Sequence, residues 1–435
     1  MLQYIIREQR LFLTLLLWMV IGMASSMAAM IFIPLHLISM RNKGMYLLFL
    51  LGLWFLFTLS DSRQFAFRFA QNIKPVIFLA TAFLIWEERN SWPQTSFYKS
   101  FLPFFGLAII SWFESPIQML SLQKMFSYFL LVYTIPMIIQ RLLIQDKQRF
   151  LKGLIALGLL VLLAGLTLRV VIPGFVVFGG ERFSGLLGNP NGLGIYAFCF
   201  LMLYILIRHY HKHYFSQFEH YLILAAIIIS LIFAGSRGGI FSSLLFLVAY
   251  YMFQRSIVLG FIVLISVYIG YQVVMTNAVD IITSLGLEDY FRLETLEKGS
   301  GRLVAFEFAR KHIQYNYWWG KGFGYTEHLM HQWADYFVQK GHQGNVHNSY
   351  LTIWLNVGLI GLIAFCWGWL KNIYQAAQFS PLAWAVLFGI ALTTTVESWL
   401  SASMNPFTIQ LVIILSLLSM KEFYKTPIAS NTQES

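Results

Sequence analysis

Apolar runs separated by short polar clusters carry this sequence from about residue 11 to residue 420, with one long polar exception in its second half. Runs such as Leu154 to Val171 and Ile257 to Ile269 are unbroken and lack the two-residue alternation of barrel strands. In lipid every backbone N–H and C=O must find its partner inside the protein, so a spanning chain is a helical bundle or a closed barrel. The pattern therefore predicts an all-α, polytopic transmembrane helical bundle. A bilayer takes about 20 residues per helix, and the candidates give about 12 to 14 spans. They fall near 11–39, 45–60, 75–86, 101–112, 119–140, 150–171, 190–208, 220–234, 238–252, 256–275, 349–370, 381–399 and 405–420. The first, 11–39, reads either as one tilted helix or as a tight pair broken near Ser25-Ser26.

The exception is the segment from about 276 to 348, which is hydrophilic but too rich in aromatics for a disordered linker. It is expected to fold, with helices over Leu285 to Leu296 and Leu303 to Ile313 lying against the membrane surface and Gly299–Gly301 and Gly320–Gly324 as punctuation. No internal repeat or composition boundary divides the chain, so residues 1–435 read as a single integral membrane domain with 276–348 as one long folded extracytoplasmic loop within it.

Composition sharpens this picture: 58% of residues are hydrophobic and only 11% charged, which excludes an ordinary soluble domain. The formal charge of +11 does not point to nucleic acid, because Lys and Arg are scattered through short loops instead of grouped on one face. Positive-inside topology and anionic phosphate ligands explain them better. Arg141, Lys147, Arg149, Arg208, Lys212, Arg255, Lys371, Lys421 and Lys425 fall on one side, read as cytoplasmic. Threading outward places 172–189, 235–238, 276–348 and 400–404 on the other face. Arg7 and Arg10 precede an apolar run without a small-residue cleavage site, so the first run reads as a retained membrane segment. Cys199 and Cys366 lie far apart in apolar tracts and say nothing about redox compartment.

The candidate chemistry gathers on the inferred outer face. Arg182 in Glu-Arg-Phe-Ser-Gly, Arg237 in Gly-Ser-Arg-Gly-Gly and Arg302 in Gly-Ser-Gly-Arg each pair a planar cationic fork with glycines that would let a bulky anion approach the backbone. Three such forks suggest a diphosphate ligand, although interfacial arginines also reach for lipid headgroups in this way. His347 has the chemistry to take a proton from a hydroxyl near neutral pH, with Asn348 beside it to orient the ring or a sugar, although a histidine at a helix start often only caps or packs. Glu397, late in an apolar tract, is either a functional carboxylate or an ion-pair partner of an outer arginine. Arg310 joins Arg182, Asn348 and Glu397 as a substrate-binding candidate. His328 and His331 lack the carboxylate and cysteine company of a metal site, so no metal is expected. The cluster His209, His211, His213 reads as a solvated loop on the basic side, and Asn189-Pro190-Asn191-Gly192 as a turn opening a helix.

Taken together these motifs resemble the O-antigen ligase and Wzy-type polysaccharide polymerase superfamily. The resemblance rests on Arg-Phe-Ser-Gly-Leu-Leu-Gly-Asn-Pro-Asn-Gly at 182–192, Ser-Arg-Gly-Gly at 236–239, Gly-Arg at 301–302, Gly-Lys-Gly-Phe-Gly at 320–324 and His-Asn-Ser-Tyr-Leu at 347–351. It covers about 180–370, and the first 170 residues share only hydropathy with it. It implies a metal-independent glycosyltransferase without cofactor, in the bacterial cytoplasmic membrane, with its site on the periplasmic face. The implied partners are a polyprenyl-diphosphate-linked glycan donor, a glycan or lipid-glycan acceptor and the bilayer. The spacing His347-Asn348, nine residues, Gly358, two residues, Gly361, three residues, Phe365 looks like the ligase pattern, and polymerase relatives carry similar helices. In that reading Arg182, Arg237 and Arg302 hold the diphosphate and His347 accepts the acceptor's proton, with inversion at the anomeric carbon. Trp318, Trp319 and Trp333 would stack on sugars or pack at the bilayer interface. A ligase, a polymerase of lipid-linked repeat units and a protein-glycosylating relative remain open. The readings from other classes are a transporter of polysaccharide or lipid, which would call for repeated halves or mid-membrane charges, and a structural subunit without activity.

Overall fold

In a computed structural model the described residues are 1–40, 45–61, 63–87, 95–178, 182–276, 283–284, 302–340 and 345–425. The chain runs as helices α1 (Leu2–Arg7), α2 (Gln9–Ala24), α3 (Ser26–Ser39), α4 (Met45–Leu59), α5 (Arg68–Glu87), α6 (Leu102–Phe113), α7 (Gln118–Val171), α8 (Pro173–Val176) and α9 (Pro190–Tyr210). It continues as α10 (Gln217–Ala234), α11 (Arg237–Arg255), α12 (Ile257–Thr276), α13 (Arg302–Tyr315), α14 (Tyr325–Gln332), α15 (Ala334–Gln339), α16 (Ser349–Ala377), α17 (Leu382–Val396) and α18 (Pro406–Ser419). α5 with the turn before it, α7, α9, α10 and α16 are long and apolar enough to cross a membrane, shorter apolar helices fill most of the remaining candidate positions, and the candidate at 238–252 is the more polar α11. The protein is a polytopic helical membrane protein.

The break expected near Ser25-Ser26 is present: Ser25 is extended and its hydroxyl accepts from the Ala28 N–H, so one residue ends α2 and caps α3. The two runs 119–140 and 150–171 form the single helix α7, interrupted where Asp146 leaves helical geometry at φ −157° and ψ 85°. The Asp146 carboxylate there accepts from the Arg149 N–H at 2.9 Å, which starts the second half as a cap would. Asn189 caps α9 by accepting from the Asn191 N–H, with Pro190 at the tolerated first position. Among the described residues the departure from helix is one short antiparallel hairpin, Val177↔Phe183 and Phe178↔Arg182, which fixes where Arg182 leaves the backbone.

The side-chain contacts sort into two ends of the bundle. At one, Arg149 grips Glu8 with two hydrogen bonds at 2.9 and 2.8 Å, Lys147 donates to the Glu422 carbonyl, and His211 donates to the Phe423 carbonyl at 2.8 Å. Most of the basic residues assigned to one side by the sequence belong here. In the His209, His211, His213 cluster, His209 and His213 are exposed as a solvated loop requires, whereas His211 is buried against Tyr214 and Phe423. Packing with the C-terminal segment, more than 200 residues away, accounts for that difference.

At the other end lies the polar insertion. Within it α13, α14 and α15 bury Ala305, Phe308, Ala309, Ile313, Leu329, Met330 and Phe337 together with Val346 and Leu355 of the following segment. The segment 302–340 is thus folded on its own small core and anchored to the first turns of α16. The helix expected over 303–313 is α13, whereas the one expected over 285–296 and the Gly299–Gly301 turn lie outside the described residues. Trp318, Trp319 and Trp333 are largely exposed, as either sugar stacking or an interfacial role requires.

α16 is also broken, at Gly358 (φ 72°, ψ −179°). Into the break comes the backbone of 317–322: Leu359 N–H donates to the Tyr317 carbonyl and Gly322 N–H to the Asn356 carbonyl, both at 2.8 Å. A Cβ on Gly358 would sit 2.1 Å from the Trp318 carbonyl oxygen, so no other residue fits. The Asn356 side chain adds to the clasp by accepting from the Thr326 N–H and hydroxyl at 2.9 and 2.8 Å. One helical turn later Gly361 lies in the buried run, and Phe365 packs edge-on against Phe104 and Tyr128. The glycine and aromatic spacing read from the sequence thus welds the polar insertion onto the membrane core.

Candidate functional site

The site is centred on Glu397, at the extended end of α17. The chain leaves α17 there at φ −144° and ψ 148°, and its carbonyl accepts from the Ser349 hydroxyl at 2.8 Å, which ties it to the start of α16. One carboxylate oxygen accepts from Arg302 Nη2 at 2.7 Å and from the Asn191 amide at 3.2 Å. The other meets His347 Nδ1 at 2.9 Å. Three segments far apart in sequence therefore converge on one carboxylate. The Arg302, His347 and Glu397 side chains are only 27%, 22% and 15% exposed, so salt and water screen the cluster weakly. A charge-assisted hydrogen bond in that setting is worth about 1.5–3 kcal/mol.

His347 holds a left-handed backbone conformation, φ 51°, the one positive φ among the described non-glycine residues. That conformation costs about 1–2 kcal/mol in an L-residue. Local bonds hold it: Asn348 caps α16 by accepting from the Leu351 N–H at 2.9 Å and donates its amide to the Thr395 carbonyl at 3.0 Å, while Asn345 accepts from the Ser398 hydroxyl at 3.0 Å. Asn348 therefore fixes the helix start on which the imidazole stands. With Nδ1–H given to the carboxylate, the neutral ring carries its lone pair on Nε2.

Arg302 opens α13, and Glu397 is its hydrogen-bond partner among the described residues. Arg182 lies on the same side of the cluster but is engaged: its Nε and Nη2 donate to the Ala234 carbonyl at 3.1 and 2.8 Å, and Nη2 also reaches the Gly235 carbonyl and the Asn191 side chain. It closes the C-terminus of α10, where carbonyls and the helix dipole favour a cation, and passes order through Asn191 to Glu397. Arg237 is the first residue of α11, half-buried, with Ser236 capping the helix. The glycines around it do different work from that expected. A Cβ on Gly239 would lie 2.7 Å from the Gly194 backbone, so Gly239 serves the crossing of α9 and α11 instead of ligand approach. Arg310 is exposed on α13, eight residues beyond Arg302 and so about 12 Å along the helix, and is not drawn into the Glu397 cluster. Among the described residues no group of three or more His, Cys, Asp or Glu side chains is placed to hold a metal ion.

Beside the cluster is a cavity of about 510 Å³, lined in part by Glu397, Asn345 and Ser398 and, across it, by Lys74, Asp61 and Lys124. Lys74 and Asn191 were not singled out in the sequence. Lys74 sits just before the apolar run 75–86 with no motif to mark it; Asn191 reads there as part of a turn, although it stands nine residues after Arg182 in the same glycine-rich stretch.

The arrangement is an imidazole oriented by a carboxylate, with guanidinium groups within the same end of the bundle. No curated protein matches the chain. Residues 222–366, from α10 through the broken part of α16 and so including Arg237, Arg302 and His347, match the Wzy_C family, described as O-antigen ligase. By that match, over about a third of its length, the chain is similar to the O-antigen ligase and Wzy polymerase superfamily.

Proposed function

We propose that the protein transfers a glycan from a polyprenyl-diphosphate-linked donor to an acceptor hydroxyl, in the manner of an O-antigen ligase, at the extracytoplasmic face of the bacterial cytoplasmic membrane. The family supports a membrane glycan ligase or polymerase; the donor, the acceptor and the face are our reading. The observation that carries it is Glu397 joined at once to His347 and Arg302. The basic cluster at the opposite end of the bundle supports the orientation.

In this reading the acceptor O–H gives its proton to His347 Nε2 as its oxygen bonds to the anomeric carbon. The bond from that carbon to the diphosphate oxygen breaks, and its electron pair leaves with the diphosphate. Glu397 stabilises the imidazolium that forms, as the carboxylate does in other His–carboxylate pairs. Arg302 and Arg237 face the charge that grows on the leaving group, a role metal ions fill in other transferases. Arg182 acts through Asn191 by holding the site's frame, and Asn348 through the start of α16. In this reading Arg310 and the exposed tryptophans meet the larger glycan, which their exposure supports. No step requires a cofactor.

Deletion of the gene, followed by gel analysis of surface polysaccharide, tests the proposal. A ligase leaves long polyprenyl-linked glycan and no attached chains, whereas a polymerase leaves single lipid-linked repeat units. An unchanged glycan profile contradicts both.

A further inference from the structure

One cation on the wall of the cavity beside Glu397 is held by neutral hydrogen-bond partners alone, and its placement says what it would bind. Each carboxylate on its wall already has a cation: Glu397 has Arg302, Glu327 has Lys124, and Asp61 accepts from the Arg63 N–H at 2.9 Å with the Arg63 guanidinium 3.7 Å away. Lys74 differs. Its ammonium donates to the Ser60 hydroxyl and to the Met404 carbonyl, both at 3.0 Å, and among the described residues no carboxylate pairs with it. An ammonium has three donors, so two neutral acceptors leave one N–H on this cavity-lining residue, with the Asp61 carboxylate of the same wall acting on it through space and not by a hydrogen bond. It stands near the start of α5, where the polar residues Arg68, Gln71 and Asn72 give way to the apolar run that begins at Pro75, and a cation at that edge held only by neutral hydrogen-bond partners marks a candidate functional position.

The rest of the wall is the chemistry of sugar recognition. Amide side chains (Asn189, Asn345, Asn405), each also bonded within the protein, line it together with the aromatic residues Phe57, Trp399 and Phe407, and a volume of about 510 Å³ falls in the ordinary range of small-molecule sites. Asn345 and Glu397, which steady His347 and bond its ring, are part of that wall. A sugar seated there lies beside the proton acceptor.

We propose that this cavity is the acceptor subsite and that it takes a sugar bearing an anionic substituent, a carboxylate or a phosphate, held by Lys74. The assignment rests on the transferase reading above and deepens it by naming the acceptor's chemical class. Lys74 is in this scheme a specificity-determining residue, separate from the arginines assigned to the donor diphosphate.

Binding to the full-length protein in lipid nanodiscs tests it, with trigalacturonate, maltotriose and inorganic pyrophosphate as probes. Trigalacturonate is expected to bind, to lose at least about tenfold in affinity in Lys74→Met and to recover to within about threefold in Lys74→Arg. Maltotriose binding is expected to be the same in wild type and Lys74→Met, which also reports an intact fold. Pyrophosphate binding is expected to weaken in Arg237→Gln and not in Lys74→Met. Trigalacturonate binding that is absent from the wild type or unchanged in Lys74→Met overturns the proposal. So does pyrophosphate binding lost in Lys74→Met, which would give the cavity to the donor. Because the assay reads no transfer, a failure here leaves the transferase reading standing, and an active His347→Ala protein would remove that reading without touching this result.

Discussion

Glu397 sits between a cation and an imidazole, with Arg302 at 2.7 Å on one carboxylate oxygen and His347 at 2.9 Å on the other. The pairing makes each partner depend on the other two. Without Glu397 the Arg302 guanidinium would remain charged with no counter-ion among the described residues, and the His347 ring would lose the acceptor that fixes its tautomer.

Glu397→Gln keeps the shape and a hydrogen-bond acceptor but removes the charge. Transfer is expected to fall about 10²- to 10⁴-fold, with the loss in kcat and little change in the KM for donor, while membrane levels stay normal. Equal loss of protein and activity would make the carboxylate a fold element only.

Gly358→Ala places a methyl group where the Trp318 carbonyl already is and asks alanine to hold a φ of 72°. A destabilisation of about 1–3 kcal/mol is expected, read as a lowered Tm of the purified protein and as faster proteolysis within 302–340. A variant with wild-type Tm would contradict the docking of 317–322 into the break of α16.

At the opposite end of the bundle, burial first and then the neighbouring Lys147 lower the His211 imidazole from its ordinary value to about 4, against the Phe423 carbonyl, which raises it. The folded protein therefore disfavours the protonated ring relative to the unfolded chain, whose histidine titrates near 6.5. The stability contributed by this site is complete above about pH 6.5 and is lost progressively as pH falls toward 4. Tm measured from pH 7.5 to 4.5 should drop more steeply in wild type than in His211→Gln, and parallel curves would contradict the assignment.

Much of this was legible in the sequence because lipid leaves a helical chain few choices. The spans, the break at Ser25, the cap at Asn189 and the folded insertion follow from hydropathy, capping and aromatic content. Convergence was legible only in part. Arg302, His347 and Glu397 each carried a local sign, but that one carboxylate would take both partners depends on how α13, α16 and α17 end, which no periodicity records. Arg182 read as a ligand for phosphate and is found closing α10, since an exposed helix C-terminus and a phosphate attract the same fork. Gly239 read as space for a ligand and is found at a helix crossing, because a missing Cβ serves either purpose. Lys74 left no sign because a lysine at the polar edge of an apolar run is ordinary and becomes meaningful only once the other residues of its cavity are known.

The most direct measurement is transfer in vitro from a polyprenyl-diphosphate-linked glycan by purified wild type and His347→Ala, with donor binding measured alongside. The account predicts that His347→Ala binds donor as wild type does and transfers about 10²- to 10⁴-fold more slowly. A His347→Ala protein that transfers at the wild-type rate would contradict it.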